Sequence, residues 1–448
     1  MERNLTQGSV LKNIILFSLP FLLSYLLQTL YGLADLFIIG QFDPTASTTA
    51  VSIGSQVMHM LTVMIVGLAM GATVLIGRAV GSGDTELRNS AIGNTATLFV
   101  IISFATMILL LILVGPIVGV MSTPQEAVDG TASYLRICFA GIPFITMYNI
   151  ICSVYRGMGD SKSPMYYVAV ACVCNIILDY VFIGTLGLGP AGAALGTTLS
   201  QAISVIVSVT VTVRRHLISG IEKRHFIPDS STIVNILRVG IPVSAQDGFI
   251  QISFIVITIF ANRRGLSDAA AVGIVEKLIG ILFLVPSTLL ASVSAICAQN
   301  IGAGLTDRAR RTMWDAVLIA AGCGLVFACS FQFLASGAVS LFSSDPEVIR
   351  LGDQYMRSYV WDCVLAGMHF VFSGYFCACG RSGLSFLHNM ISIVCARIPL
   401  AYFTSVLYLD TLYPMGWAAP AGSLLSVVVC LIAYRYIVRR EAVQAVSL

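Results

Sequence analysis

Apolar residues run along this chain in long blocks broken by short polar or Gly/Pro-rich stretches. About twelve blocks are long enough to cross a bilayer as helices, which takes roughly 20 residues each. They begin near residues 14, 53, 90, 131, 164, 190, 233, 269, 312, 353, 385 and 413. The alternating ten-residue segments of an outer-membrane barrel are absent from the pattern, and long runs of Leu, Ile, Val, Ala, Gly and Phe suit helices. The pattern therefore predicts an all-α membrane protein. No cleavable leader is expected, because the first apolar block is too long and no small-residue cleavage pattern follows it.

Polar positions inside the blocks are the informative ones, since an ionised side chain in hydrocarbon is costly and is found paired or functional. Positions three and four apart share a helix face. Ser24, Gln28, Tyr31 and Asp35 therefore form one stripe on span 1, Asn175 and Asp179 share a face of span 5, and Thr197, Gln201, Ser204 and Ser208 share one on span 6. Depth adds a second argument. Asp35 lies five residues before Gly40 and Asp179 five before Gly184, which puts each acid about 7 Å short of the same helix end. Two carboxylates in one poorly solvated site favour uptake of a proton; with Asn175 and backbone carbonyls, the same oxygens also suit Na⁺. No Lys or Arg is expected deep within the spans of the first half, Arg136 being the nearest base.

The second half has stripes of its own, Asp247, Gln251, Phe254 and Thr258 on span 7 and Tyr355, Tyr359, Asp362, His369 and Ser373 on span 10. Glu276, Lys277 and Arg397 also lie within spans, so ion pairs of Asp362 or Glu276 with Lys277 or Arg397 are expected. His59, His369 and His388 read as packing or gating groups, because no HxxxH or clustered carboxylate accompanies them. Pro20 removes a backbone hydrogen bond within span 1 and permits a kink.

A duplication underlies the two halves. "IILFSLP" (Ile14 to Pro20) recurs as "ILRVGIP" (Ile236 to Pro242), "AVGSGDTELR" as "NIGAGLTDRA", and "RGMGDS" as "CACGRS", at offsets of 222, 221 and 221 residues. An even number of spans separates the copies, so the halves have the same orientation, as in transporters with parallel repeats around an axis along the membrane normal. The expected organisation is an N-terminal six-helix bundle (1–215), a cytoplasmic linker (216–232) and a C-terminal six-helix bundle (233–448), the halves related by a pseudo-twofold repeat. At the positions matching Asp35 and Asp179 the second copy has Ile257 and Leu400. The acidic pair is not duplicated.

Composition fits: 57% of the 448 residues are hydrophobic and 10% charged. Charge sets orientation. With a cytoplasmic N-terminus, eighteen Lys and Arg, Arg156 among them, fall on inner segments and five on outer ones, a positive-inside bias. The net charge of +3 thus reflects topology and gives no support to a nucleic-acid partner. The twelve cysteines lie almost entirely in apolar runs and read as small hydrophobic packing residues. The Gly-rich loops lack the Gly-x4-Gly-Lys-Ser/Thr spacing of a nucleotide site, and the absence of HExxH and GxSxG argues against an embedded enzyme such as a transferase or protease.

Taken in order, "Q-x2-Y-x3-D-x4-G" at Gln28, Tyr31, Asp35 and Gly40, the Gly-rich loops at Gly81 and Gly302, "YRGMGDS" at Tyr155 and "N-x3-D" at Asn175 and Asp179 resemble the multidrug and toxic compound extrusion (MATE) transporters. The acidic pair looks most like the bacterial DinF-like branch and its relatives. The resemblance covers essentially the whole chain. It implies a plasma-membrane antiporter, no enzyme, that exports organic cations or drug-like amphiphiles by alternating access in exchange for H⁺ or Na⁺. It further implies a monomer with cytoplasmic termini and without a cofactor. Asp35, Asn175 and Asp179 would couple the cation, with Na⁺ at Asp35 and Asp179 as the only metal, and Gln28, Tyr31, Met147, Thr197, Gln201 and Phe283 would line the substrate cleft. Branches with a cation site in the second half use acids there, so Asp247, Glu276, Lys277, Asp362 and Arg397 form a second charged network to consider. A flippase of a lipid-linked precursor is the alternative that the wider group allows.

Overall fold

Each predicted block is helical. The computed structural model describes residues 4–214 and 220–446, with side chains to residue 439; Arg3, Arg215, residues 216–219 of the expected linker and the Arg440 side chain lie outside the described residues. Among the described residues, ten spans are long and apolar enough to cross a membrane, and two bent helix pairs bring the number to twelve if each pair is one span.

The first half contains α1 (Val10–Phe42), α2 (Thr45–Ser82), α3 (Thr85–Val120), α4 (Val128–Ala140), α5 (Ile142–Gly157), α6 (Lys162–Asp179) and α7 (Gly189–Arg214). The second contains α8 (Ser230–Arg264), α9 (Leu266–Leu282), α10 (Leu284–Gly302), α11 (Thr306–Ser340), α12 (Pro346–Tyr359), α13 (Asp362–Ala378), α14 (Ser382–Ser392), α15 (Ile398–Leu407), α16 (Tyr413–Gly416) and α17 (Ala418–Val446). The duplication is visible in the irregularities. The fourth span of each half is broken, α4 and α5 meeting at 50° and α12 and α13 at 42°. The fifth span of each half carries a π-helical turn, Tyr180–Thr185 after α6 and Ile393–Arg397 after α14. Such turns are rare and occur frequently at functional sites.

Two compact units form. The first comprises Met1–Gln7, Ile15–Ser244 and Ala298–Gly304, the second Gly8–Ile14, Ala245–Cys297 and Leu305–Leu448. In the first unit one core gathers around Val51, Tyr134, Phe139 and Ile183, and another around Ile76, Phe99, Tyr155 and Tyr167. In the second, Val275, Tyr355, Tyr359 and Met415 are among the residues of the main core.

Local chemistry sets the helix ends. Gly83, at φ 72°, closes α2 in the left-handed conformation that glycine adopts without strain. Asp84 then caps α3 by accepting a hydrogen bond from the Leu87 N–H at 2.9 Å. The "GSGD" loop is thus a tight turn with a cap. Asp84→Ala should cost about 1 kcal/mol, read as a lower thermal midpoint of the detergent-solubilised protein, with the helix content of the folded state unchanged.

The polar connector is fastened to α3. Asn89 Nδ2 donates to the Gly220 carbonyl at 3.0 Å and Thr97 Oγ1 to that of Phe226 at 2.8 Å. Asn94 holds both sides of the strap, donating to the His225 carbonyl and accepting from the Asp229 N–H.

Candidate functional site

Three polar helix faces converge in the first unit. Asp35 on α1 is 5% exposed, and Asn175 and Asp179 on α6 are 1% and 0% exposed. From α7, Thr197 Oγ1 donates to Asp35 Oδ2 at 3.2 Å. Asn175 and Asp179 stand beside the Asp35 side chain without a hydrogen bond to it, and Tyr31 stands beside Asp35 and Gln201.

Close packing of α6 on α7 makes this possible. Gly192, Gly196, Ser200, Ser204 and Ser208 repeat every four residues along α7, the small-residue spacing that lets membrane helices approach. Ser204 Oγ donates to the Tyr167 carbonyl of α6 at 2.8 Å. At Gly196 the fit is tightest, because a Cβ there would overlap Asp179 Oδ1. The glycine leaves room for the carboxylate.

The site is rich in unsatisfied groups. Asp35 Oδ1, both Asp179 oxygens, both polar atoms of Asn175 and Gln201 Oε1 are buried without a hydrogen-bond partner. Native interiors satisfy nearly all such groups, and an arrangement of this kind has the chemistry to share a proton between the carboxylates or to hold a cation by their oxygens. Arg136 is exposed and offers the acids no counter-charge.

Not every predicted residue joins them. Met147 lines a separate apolar pocket with Phe99, Phe104 and Pro143, between α3 and α5. Phe283 belongs to the second unit, where it packs near Phe370 at the α9–α10 break. Gln28 opens onto another pocket of the first unit, which also contains Arg156. That arginine is a buried base at a helix end and not deep within a span. α5 takes in the first two residues of the "RGMGDS" motif, ending at Gly157, and buries Arg156 in its last turn at 6% exposure. The signal was in the sequence, since Asn149, Ser153 and Arg156 recur at helical spacing.

In the second unit the expected ion pairs do not form. Arg397, at the end of the π-helical turn, donates to the Tyr359 hydroxyl at 2.6 Å and places its guanidinium carbon 4.6 Å from the Phe254 ring centroid. Neither Asp362 nor Glu276 lies at ion-pair distance; both Asp362 oxygens are buried without a partner, and Glu276 accepts from Thr258 Oγ1 at 3.2 Å. Lys277 is exposed and takes no part, because the residue after Glu276 points about 100° away around the helix. Asp247 is half-buried near Cys377. His388 bridges Ser373 and Ser426 and has His369 beside it at a ring separation of 5.4 Å. The histidines at this place are bonded parts of the core.

The duplicated plan and the polar convergence can be compared with known proteins. The MatE family model matches residues 20–181 and again 242–403, well over half of the chain, in two stretches that begin 222 residues apart. The chain belongs to the MatE family.

The first MatE match encloses Asp35, Asn175 and Asp179, the second Asp247, Glu276, Asp362 and Arg397. Among curated relatives, the probable multidrug resistance protein YoeA of Bacillus subtilis is 26% identical over 407 residues, covering 89% of this chain and 88% of that protein. A FAD transporter of Shewanella oneidensis is 26% identical over 437 residues, covering 94% and 93%. The fold matches the crystal structure of MATE in complex with MaL6 with a TM-score of 0.90 at 23% identity, over 99% of both chains. MatE proteins are transporters, and this one is a multi-pass, all-helical member with the internal repeat.

Proposed function

We propose that this MatE protein exports organic cations or drug-like amphiphiles across the plasma membrane in exchange for H⁺ or Na⁺. Its two bundles, 1–215 and 233–448, alternate between openings to the two sides, with both termini cytoplasmic. Asp35, Asn175 and Asp179 bind the coupling ion, and Thr197 orients Asp35. The observation that carries this reading is the meeting of two buried carboxylates on separate helices with no basic partner and with three of their four oxygens unbonded. A structural pair would have its counter-charge; this one is arranged to gain a cation and lose it again. The names of the relatives add weight, since several are multidrug resistance or export proteins. Coupling follows if the ion binds one orientation better than the other.

Transport of a cationic dye into proteoliposomes, driven separately by a pH gradient and by a Na⁺ gradient, tests the reading. One gradient should drive wild-type transport and thereby name the ion. Asp35→Asn and Asp179→Asn should each lower it by at least about tenfold, since a charged hydrogen-bonding ligand is worth roughly 1.5–3 kcal/mol. Full coupled transport in both variants would overturn the site. If neither gradient moves a cation but lipid-linked sugar is translocated, the protein is a flippase.

A further inference from the structure

A second polar pocket lies in the first unit, about 10 Å along α1 from Asp35 by the rise between Gln28 and Asp35. Its cavity volume is about 30 Å³, and it is lined by Ser24 and Gln28 of α1, Val66 of α2, Tyr148 and Arg156 of α5, and Val168 of α6, among others. Its charged member is the unusual one. Arg156 is 6% exposed. Its Nη2 donates to Ser153 Oγ at 2.6 Å and its guanidinium carbon lies 5.9 Å from the Phe21 ring centroid. Nε is buried without a partner, and among the described residues no Asp or Glu forms an ion pair with it. A guanidinium carries five N–H donors in a planar fork, and one of them is used here. The Tyr148 hydroxyl, on a residue 4% exposed, is also without a partner.

Buried guanidinium groups are found paired, because the uncompensated charge is destabilising. The acids do not serve as the pair, since they face one another near the far end of α1. The donors that remain free in the pocket, the Arg156 fork and the Tyr148 O–H, are those that recognise an oxyanion. We propose that this pocket is an anion subsite that takes a carboxylate or phosphate group. If the group belongs to a transported solute, the substrate range extends from plain cations to zwitterions; if it belongs to a phospholipid headgroup, the pocket holds a bound lipid. The solute case rests on the transport function proposed above. Arg156 supplies the charge and Tyr148 a directional hydrogen bond. Ser24 and Asn149 contribute less, as both already donate to their own helix backbones at 2.8 Å.

The test reads binding rather than transport, so a failure of gradient coupling leaves it intact. Two dyes with one chromophore serve as probes: rhodamine 6G, an ester and a cation, and rhodamine 19, the free carboxylate and a zwitterion. Fluorescence anisotropy with the full-length protein in phosphatidylcholine nanodiscs gives both affinities. Arg156→Gln should weaken rhodamine 19 roughly ten- to a hundredfold and change rhodamine 6G by less than about threefold, with Arg156→Lys recovering part of the loss. Tyr148→Phe keeps the ring and removes only the hydroxyl; it should weaken rhodamine 19 selectively by about three- to tenfold, and it carries the test if Arg156→Gln fails to fold. Native mass spectrometry of protein from nanodiscs containing phosphatidylglycerol separates the sources. Loss of retained phosphatidylglycerol in Arg156→Gln, with dye binding unchanged, assigns the anion to a headgroup and upholds the subsite. Equal weakening of both dyes overturns the proposal, as does a variant that matches wild type in rhodamine 19 affinity and in retained phosphatidylglycerol.

Discussion

Gly196→Ala should cut gradient-driven transport sharply, although alanine is the better helix former by about 1 kcal/mol. The two effects have opposite signs, which makes the experiment decisive. The added methyl group would overlap Asp179 Oδ1, so the carboxylate must rotate away or α7 must move off α6. Overpacking of this kind costs about 1–3 kcal/mol, and here it falls on the position of a proposed coupling ligand. An expected decrease of about five- to 150-fold in coupled transport follows from that range. Gly280→Ala on α9 is the control, since a Cβ there meets nothing within 4 Å; it should transport as wild type. Equal activity of the two variants would mean that Asp179 can couple from more than one position.

The geometry behind that prediction was only partly legible in the sequence. Helical periodicity placed Tyr31 with Asp35 and Asn175 with Asp179, because i, i+4 spacing needs no knowledge of neighbouring helices. Depth counting then brought the two acids to one level. Thr197 was read as a cleft residue, yet it donates to Asp35; a polar face says that a helix looks inward but not which atom it meets. The role of Gly196 was hidden because a glycine has no side chain to register in a pattern. Arg156 was lost for a different reason. Counting charge for orientation places Arg156 on an inner segment, whereas α5 extends to Gly157 and buries the guanidinium in its last turn. In the second unit the acids and bases of the sequence invite pairing by opposite charge, but Arg397 instead donates to a tyrosine hydroxyl and lies over an aromatic face, its Nε left without a partner. Non-local partners of that kind are set by packing, and periodicity does not report them.

Arg264→Ala should give the largest loss of stability of any single arginine change outside the two polar sites. The sequence presents this residue only as one of two adjacent arginines at the end of α8. In the folded chain its side chain is 3% exposed, and its Nε donates to Asp268 Oδ1 at 2.8 Å. Nη1 donates to the carbonyls of Ser405 at 2.9 Å and Tyr408 at 2.8 Å, and Nη2 to those of Leu409 at 3.0 Å and Thr411 at 3.2 Å. These carbonyls belong to the last turn of α15 and the loop after it, where a helix ends with no intrahelical donors to accept from. One planar fork therefore closes a helix end, holds the loop to α16 and neutralises Asp268. Truncation leaves the carboxylate and the carbonyls together without partners, an effect of about 3–5 kcal/mol for a buried pair broken on one side. Arg264→Lys restores the charge but not the fork, as an ammonium has three donors on a flexible stem, and should recover less than half of the loss. Arg350 provides the contrast: its pair with Glu347 at 2.7 Å is half-exposed, and Arg350→Ala should change stability by no more than about 0.5 kcal/mol. Thermal unfolding of the purified variants in one detergent ranks the three. A midpoint for Arg264→Ala as high as that for Arg350→Ala would show that the loop after α15 finds its hydrogen bonds elsewhere, and that the arginine follows the local fold instead of setting it.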